Sequence, residues 1–252
     1  MQQAITSAGK CQFCHKTYSK STISRHLHNH LQEKSLHNKL GKSFLLKIET
    51  KPRWGKTPYF LLIWIDGGTT MEELDELLRN TWLECCGHMS SFTVPSNKRT
   101  TGFDFSIFDA YELLDKGKIN KYEEIMEQVN GEVPMSKTTG KIMYKDLKID
   151  YTYDYGSSTE LQLTVVQEYN VKADESIVLL SRNEDPNLLC EKCGKLPATE
   201  LCTVCYSYGN KSLFCSSCAK KHAKSCEDFN DYAALPVVNS PRMGVCGYTG
   251  EN

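Results

Sequence analysis

The run Tyr59-Phe-Leu-Leu-Ile-Trp-Ile65 decides the fold of the central part of this chain. It is the longest apolar stretch in the sequence, and it is built from aromatic, β-branched and leucine residues. This length and composition are typical of a buried β-strand. A membrane span would need roughly 20 apolar residues, so the run does not predict one.

The segments on either side of this strand predict an α+β domain. Phe44–Glu49 is predicted to form a strand that precedes the strand at 59–65, and a turn that contains Pro and Gly joins the two. Thr70 and Glu73 then match a capping box, and apolar residues follow at helical spacing. Further strands are predicted at 89–94, 103–108, 147–155 and 160–169, with a polar helix at 122–129. We expect helices packed on a mixed sheet, flanked by small modules.

Charge is distributed unevenly along the 252 residues, although the net charge is only −1. Residues 1–42 carry seven Lys or Arg side chains and one acid, Glu33, whereas residues 43–189 carry 16 basic and 24 acidic side chains. A basic arm before an acidic body indicates that any phosphate contact is made by the N-terminal segment.

No secretory signal is visible, so we expect a cytoplasmic protein without membrane attachment.

Cysteine and histidine spacing predicts a zinc finger near the N-terminus. Cys11, Cys14, His26 and His30 form the pattern C-x2-C-x11-H-x3-H. Thiols stay reduced in the expected compartment, which favours metal binding over disulfides. Two cysteines on a tight turn and two histidines on one helix face would converge on one ion. His28 offers a longer alternative spacing from a different helix face.

This segment resembles the ββα zinc-finger family, with eleven residues between the ligand pairs where twelve are usual. Tyr18 and Ile23 occupy the positions of its apolar core. Because that core is small, the metal is expected to supply most of the stability. The resemblance implies that four side chains at the helix start, Lys20, Ser21, Thr22 and Ser24, could meet DNA or RNA. A finger used for protein contact or structural support is the alternative.

The C-terminal part contains a larger ligand set, in four pairs within 37 residues. Its members are Cys190, Cys193, Cys202, Cys205, Cys215, Cys218, His222 and Cys226. Because a closed structural zinc site takes four ligands, eight ligands predict two tetrahedral sites. Together with the finger, the sequence predicts three zinc ions and no open coordination position for catalysis.

Phe214-Cys215-Ser-Ser-Cys218 matches the Phe/Tyr-Cys-Ser-x-Cys ending of the HIT and MYND zinc fingers, and the module resembles those families. Their cross-braced arrangement implies one ion on the first and third pairs and another on the second and fourth. A sequential pairing stays possible, because the interval from Cys205 to Cys215 is longer than in the HIT pattern. The resemblance implies a protein partner. A locally basic surface leaves nucleic-acid contact open; it comprises Lys211, Lys220, Lys221 and Lys224.

Several distinctive segments lie outside the zinc motifs. They are Phe44–Glu49, Gly67–Leu74, Trp82–Phe92, Tyr151–Leu161 and Leu235–Gly250. Through them most of the chain resembles the plasmid pRiA4b ORF-3-like family, which also carries a transposon-passenger "TnpR" label. The chain departs from the common family pattern at Thr57–Ile63, where Tyr-Phe-Leu-Leu replaces a Trp-Arg-Arg element. The resemblance implies an α+β body in a prokaryotic protein associated with mobile elements.

The residues of the body do not support the recombinase label. Such an enzyme needs an activated hydroxyl surrounded by several arginines that balance the phosphate charge. The arginines of the body are scattered; they are Arg53, Arg79, Arg99 and Arg182. We therefore predict no catalytic residues.

One segment of the body, Cys85-Cys86-Gly-His88, places a thiol beside an imidazole. An enzyme acting on nucleic acid, with its site near Cys86, His88 and Asp154, is one interpretation. The other is that Cys85 or Cys86 packs into the core at a helix end, since free cysteine is among the most buried residues. Cys246, set among glycines in the tail, is an alternative ninth ligand of the C-terminal module.

These features divide the chain into four parts: a finger at 1–42, a body at 43–182, a two-zinc module at 183–230 and a tail at 231–252 that packs on the body. We expect a non-enzymatic zinc-binding adaptor that contacts nucleic acid through residues 1–42 and protein through the rest. A pure protein-interaction scaffold and an enzyme acting on nucleic acid are the alternatives.

Overall fold

The computed structural model describes residues 7–36, 39–51, 57–95, 112–119, 121–122 and 131–250. The strand predicted at 103–108 and nearly all of the helix predicted at 122–129 lie outside these residues. Within them the chain combines helices with a large sheet, which confirms the α+β class. None of the described helices is long and apolar enough to span a membrane.

Within the described residues, the strands of the central sheet are β3 (Leu40–Thr50), β4 (Phe60–Asp66), β5 (Ser90–Thr93), β6 (Glu132–Val133), β7 (Lys148–Tyr153), β8 (Thr159–Val171) and β9 (Ile177–Arg182). These seven strands lie in the order β6-β5-β7-β8-β3-β4-β9. The sheet differs from the mixed one predicted, because each described pair of neighbours is antiparallel. Two strands that follow each other in the chain can pair in parallel only if the connection crosses over and returns to the adjacent position in the sheet. The connection after β4 instead carries the chain across the sheet to β5.

Strand β4 lies near one edge of the sheet, yet both of its faces are buried. Leu61 and Ile63 belong to the core on one face, whereas Phe60, Leu62 and Trp64 belong to the core on the other. A strand covered on both sides needs apolar residues at every position. This double coverage explains why β4 is the longest apolar run in the sequence.

Helix α2 (Met71–Leu78) covers the first face. The predicted capping box begins it: the Thr70 backbone N–H donates to Glu73 Oε2 at 2.7 Å, and the Glu73 N–H donates to Thr70 Oγ1 at 3.2 Å. A π-helical turn, Arg79–Leu83, follows and buries Trp82. A short helix α3 (Thr139–Ile142) lies near the start of α2, where Thr139 donates to the Asp66 carbonyl.

The opposite face of the sheet is covered by the N-terminal finger. Strands β1 (Ala8–Lys10) and β2 (Thr17–Ser19) form its hairpin, and α1 (Ile23–Ser35) follows. The apolar residues of α1 share one core with β4, β8 and β9. The finger is therefore part of the layered body and not an appendage.

The C-terminal module contains its own three-stranded sheet. Strand β10 (Glu200–Cys202) pairs with β11 (Leu213–Phe214) and with β12 (Ala234–Pro236), and two short helices, α4 (Thr203–Ser207) and α5 (Ser216–His222), lie between. Strand β12 belongs to the tail, so the tail joins the module before it reaches the body. There Ser240 Oγ donates to the Trp82 carbonyl at 2.6 Å.

Candidate metal centres

The four ligands predicted for the finger come together in the structure. The ligand atoms of Cys11, Cys14, His26 and His30 lie within 4.8 Å of one another. Nε2 of His26 is 3.2 Å from Sγ of Cys14 and 3.2 Å from Nε2 of His30. His28 is used elsewhere, since its Nδ1 lies 2.8 Å from the hydroxyl of Tyr169. The longer alternative spacing is therefore not the one that the structure adopts.

The turn between β1 and β2 favours a thiolate at Cys14, whereas burial raises the pKa of the Cys11 thiol. A hydrogen bond from the Lys16 backbone N–H lowers the pKa of the Cys14 thiol to about 6. His15, between them, has a φ of 58°, which lies in the left-handed region. Zinc is bound by thiolate and not by thiol, so the lowered pKa prepares this position for a cation.

The resemblance to ββα fingers implies a small apolar core within the finger itself. In the structure, the apolar residues of the finger helix are buried against the central sheet instead. Ile23, Leu27 and Leu31 are fully buried in the core they share with the sheet, and Cys11 is buried there as well. Burying an aliphatic side chain contributes about 1.5–3 kcal/mol. Packing against the sheet therefore adds to whatever the metal contributes, because the helix has a large apolar surface to rest on.

Ion pairs absorb part of the basic charge of residues 1–42. Lys20 lies 2.9 Å from Glu49, and Lys42 lies 3.1 Å from Glu168. Lys34 pairs with Asp174. Three of the seven basic side chains in this segment thus contact acids of the body, so the charge asymmetry has a partly intramolecular explanation. Lys20, expected at a phosphate contact, is one of them.

The C-terminal ligands separate into two clusters. One contains Cys190, Cys193, Cys215 and Cys218, and the other contains Cys202, Cys205, His222 and Cys226. This grouping is the cross-braced arrangement and not the sequential one. Strands β10 and β11 are antiparallel, so the ligand pair at the end of β10 and the pair that follows β11 lie at opposite ends of this ladder. Each of them meets a ligand pair from another segment of the module.

Ligand separations within these clusters agree with a tetrahedral ion. Zn–S bonds of about 2.3 Å and Zn–N bonds of about 2.0–2.1 Å imply edges of about 3.8 Å for S–S, about 3.6 Å for S–N and about 3.4 Å for N–N. In the module, Sγ of Cys193 and Cys215 are 3.9 Å apart, and Cys205 Sγ lies 3.5 Å from His222 Nε2. The His26–His30 distance of 3.2 Å in the finger is close to the N–N edge.

A fourth cluster forms where the sequence predicted no ion. It contains Cys85, Cys86, His88 and Cys246, whose ligand atoms also lie within 4.8 Å of one another. Cys246 therefore joins the body and not the module, contrary to the ninth-ligand alternative. Cys85 is partly buried and packs against the core after the π-helical turn, as the other interpretation expects for one of the two thiols, whereas Cys86 is exposed. The clue in the sequence was a Cys-Gly pair in both segments, at 86–87 and 246–247.

The fourth cluster does not have the geometry of a nucleophilic triad. Nε2 of His88 faces Cys86 at 3.0 Å, and the same Nε2 faces Asp154 Oδ2 at 3.5 Å. A catalytic imidazole contacts its nucleophile through one ring nitrogen and its orienting carboxylate through the other.

Arg242 lies beside this cluster and is fully buried. Its Nη2 donates to Asp154 Oδ2 at 2.6 Å and contacts Sγ of Cys85 at 3.5 Å. The guanidinium lowers the pKa of Asp154 to about 2. Burial alone would raise the pKa of the Cys85 thiol, but the hydrogen bond from Arg242 acts against burial, and the pKa of that thiol is lowered as well. The tail thus brings a fixed positive charge to the edge of the cluster.

Comparisons with known proteins add little to this geometry. No family model matches the chain, and no curated protein matches it. Among solved structures, it is similar to a protein of unknown function, MM3350, from Methanosarcina mazei Go1. That likeness has a TM-score of 0.36 and 15% sequence identity, and it covers 57% of this chain and 68% of the other. It is too weak to support an argument about fold or function.

Taken together, four Cys/His clusters among the described residues could hold metal ions, and their thiolate and imidazole donors are compatible with zinc. Three of them consist of the twelve predicted ligands. The fourth is assembled from two segments that no local spacing rule connects.

Proposed function

We propose that this protein is a non-catalytic, zinc-stabilised adaptor that binds nucleic acid through the finger helix and protein through the C-terminal module. The observation that carries the first half is the way α1 docks. Its apolar face is buried against the sheet, and this orientation turns the opposite face of the helix outward.

The outward face of α1 carries side chains suited to nucleic acid. Arg25, Asn29 and Gln32 are all exposed, and their spacing of four and three residues places them in one row. Arginine contacts guanine, and asparagine or glutamine contacts adenine, through paired hydrogen bonds to base edges. This row replaces the predicted contact region at Lys20–Ser24, where Lys20 pairs with Glu49 and Ser24 is half-buried.

Exposed positive charge accompanies this row. Lys10 and Lys16 are exposed at the hairpin, and Lys39 is exposed beyond the end of α1. Backbone phosphates supply most of the affinity in such interfaces, and cations of this kind meet them. A single finger reads only about three base pairs, so we expect modest sequence preference.

The second half of the proposal depends on tyrosines of the module. Tyr206, Tyr208 and Tyr232 are 58%, 78% and 68% exposed. Helix α4 contacts the π-helical turn Phe229–Ala233, so these side chains lie on neighbouring elements. Tyrosine is enriched at protein interfaces, because it offers a large apolar ring and a hydroxyl at low entropic cost.

Fluorescence anisotropy with labelled duplex DNA, single-stranded DNA and RNA tests the nucleic-acid half. We expect binding at about 50 mM salt that weakens steeply as salt rises, because counterions are released on binding. The variant R25A/N29A/Q32A should lose about tenfold or more in affinity. Its matched control, K220A/K221A/K224A, removes three exposed lysines of the module and should change affinity much less.

Two outcomes would contradict this assignment. If the wild type binds none of the probes at low salt, the pure protein scaffold replaces the adaptor. If the lysine control loses more affinity than the α1 variant, the nucleic-acid contact belongs to the module. For the protein half, Y208A/Y232A should reduce the affinity of any purified partner, while R25A/N29A/Q32A should leave that affinity unchanged.

A further inference from the structure

We propose that Cys85, Cys86, His88 and Cys246 form a fourth zinc site, which fastens the C-terminal tail to the body. Neither of the segments that contribute has the spacing of a zinc finger. Cys85–His88 follows the π-helical turn after α2, whereas Cys246 lies 160 residues beyond Cys86 in the tail. The inference rests on geometry, on local backbone conformation and on the charge beside the cluster.

The separations of the ligand atoms fit a tetrahedral ion. Sγ of Cys85 is 3.6 Å from Sγ of Cys86, which is 3.7 Å from Sγ of Cys246. A tetrahedral zinc site has an S–S edge of about 3.8 Å, whereas a disulfide bond is about 2.05 Å long. Nε2 of His88 lies 3.0 Å from Cys86 and 3.3 Å from Cys246, somewhat inside the expected S–N edge of about 3.6 Å.

The backbone at this cluster repeats a feature of two of the three predicted zinc sites. In the finger, His15 follows ligand Cys14 and has a φ of 58°, and in the module, Gly194 follows Cys193 with a φ of 64°. At the fourth cluster, Gly87 follows Cys86 with a φ of 74°, and Gly247 follows Cys246 with a φ of 68°. A Cβ added at either glycine would meet no atom within 4 Å, so the glycine is explained by φ and not by space.

Cys246 itself has a φ of 51°, which is uncommon for a residue with a side chain. Such conformations persist where the surrounding structure demands them, and they concentrate at functional sites. Here the turn at 244–247 directs a thiol toward Cys86 and His88. A bond to a shared ion gives a physical reason for the strained turn.

The surroundings of a loaded site place a cation at Cys85, although the carboxylate of Asp154 is paired with that cation. Three thiolates and one Zn²⁺ carry a net charge of about −1, with a neutral imidazole as the fourth ligand. Arg242 supplies a buried positive charge at Cys85, and Asp154 holds that guanidinium in place. Hydrogen bonding of this kind to metal ligands orients them and tunes the site. The same tail segment therefore delivers both a ligand and this cation.

The position of the site gives it a mechanical role. Between Cys246 and the module, the tail contains β12, which pairs with β10. An ion that joins Cys246 to residues 85–88 would hold the tail at one end on the body while β12 holds it at the other end on the module. The fourth ion thus sets how the module sits on the sheet, a task that the ions within each module cannot perform.

Native mass spectrometry of the zinc-loaded full chain is the first test. We expect four ions per wild-type chain and three in C86S/C246S, which keeps only two ligands of the cluster. T249A changes an exposed tail residue outside the cluster and should retain four ions. Three ions in the wild type, or four in C86S/C246S, would overturn the proposal. The wild-type count is decisive by itself, even if the double variant folds poorly.

Trypsin reports the fastening of the tail. Arg242 is the only Lys or Arg after Lys224, and it is fully buried in the docked tail. Cleavage after Arg242 therefore requires the tail to leave the body and releases a peptide of residues 243–252. We expect C86S/C246S to be cut about tenfold faster or more, because cleavage follows the population of the open form. T249A should match the wild type.

The two readouts separate the parts of the proposal. If C86S/C246S loses one ion but Arg242 stays as protected as in the wild type, the site binds zinc without fastening the tail, and the mechanical role is wrong. If the double variant folds too poorly to assay, wild-type chain with a limiting zinc supply replaces it. In that experiment, cleavage after Arg242 should slow only as the fourth ion is bound, and cleavage independent of that step would contradict the role.

Discussion

The finger and the C-terminal module use similar ligands but bury different surfaces. In the finger, Ile23, Leu27 and Leu31 enter a core that includes the central sheet. In the module, half of the buried core residues are ligand cysteines, and the other half are apolar residues around them. Those residues are Phe214, Ala219, Phe229 and Ala233. The difference teaches that a zinc motif alone does not tell how far a segment depends on its ion.

Metal removal should separate the two regions most clearly. Structural zinc contributes on the order of 10–16 kcal/mol to folding of small domains that have little core of their own. With a chelator we expect the amides of Cys190–Cys226 to exchange at the rate of an unfolded chain, while α1 keeps much of its protection. Hydrogen exchange read by mass spectrometry checks this. Equal loss of protection in α1 and the module would show that the finger also depends on its ion alone.

Truncating an apolar residue of α1 should have the next largest effect. Leu27→Ala removes a fully buried side chain at the contact with the sheet and should cost about 2–5 kcal/mol in the free energy of unfolding. Leu36→Ala, at the 81% exposed end of the same helix, is the matched control and should stay within about 0.5 kcal/mol. Urea unfolding with excess zinc measures both. A Leu27→Ala effect as small as the control would mean that the finger docks loosely.

The ion pair between Lys20 and Glu49 should matter least. Both side chains are partly exposed, so Lys20→Ala should cost at most about 1 kcal/mol. Burial alone would raise the pKa of the Glu49 carboxyl, but hydrogen bonds from Lys20 and Lys47 lower this pKa below its ordinary value of 4.5. A lowered folded-state pKa means that the stabilisation is present above pH 4.5 and is lost as the pH falls below it.

The measurement for this pair is the stability difference between wild type and Lys20→Ala at pH 7 and at pH 4, with equal zinc. The difference should shrink at the lower pH, and Lys16→Ala, an exposed hairpin residue, should show no such change. A difference that grows on acidification would show that Lys20 stabilises the finger through some other contact.

Much of this structure was predictable because local rules govern it. The capping box at Thr70 and Glu73 needs only four consecutive residues, and the hairpin and helix of the finger follow from ligand spacing. The apolar run at 59–65 predicted strand β4, since a continuous run is typical of coverage on both faces. The run could not predict which element covers the second face of this strand. That the finger covers this face depends on contacts between α1 and strands far along the chain.

The same distinction applies to the metal centres. Spacing within one segment predicted the twelve candidate ligands of three clusters, because a tight turn or one helix face brings neighbours in sequence together in space. The grouping of the module ligands and the fourth cluster needed the tertiary structure. Cys246 meets Cys86 and His88 where the tail lies on the body, and the contacts there include Arg242 with Asp154 and Ser240 with Trp82. Contacts between residues so far apart in the chain are set by packing and charge, for which the sequence contains no local pattern.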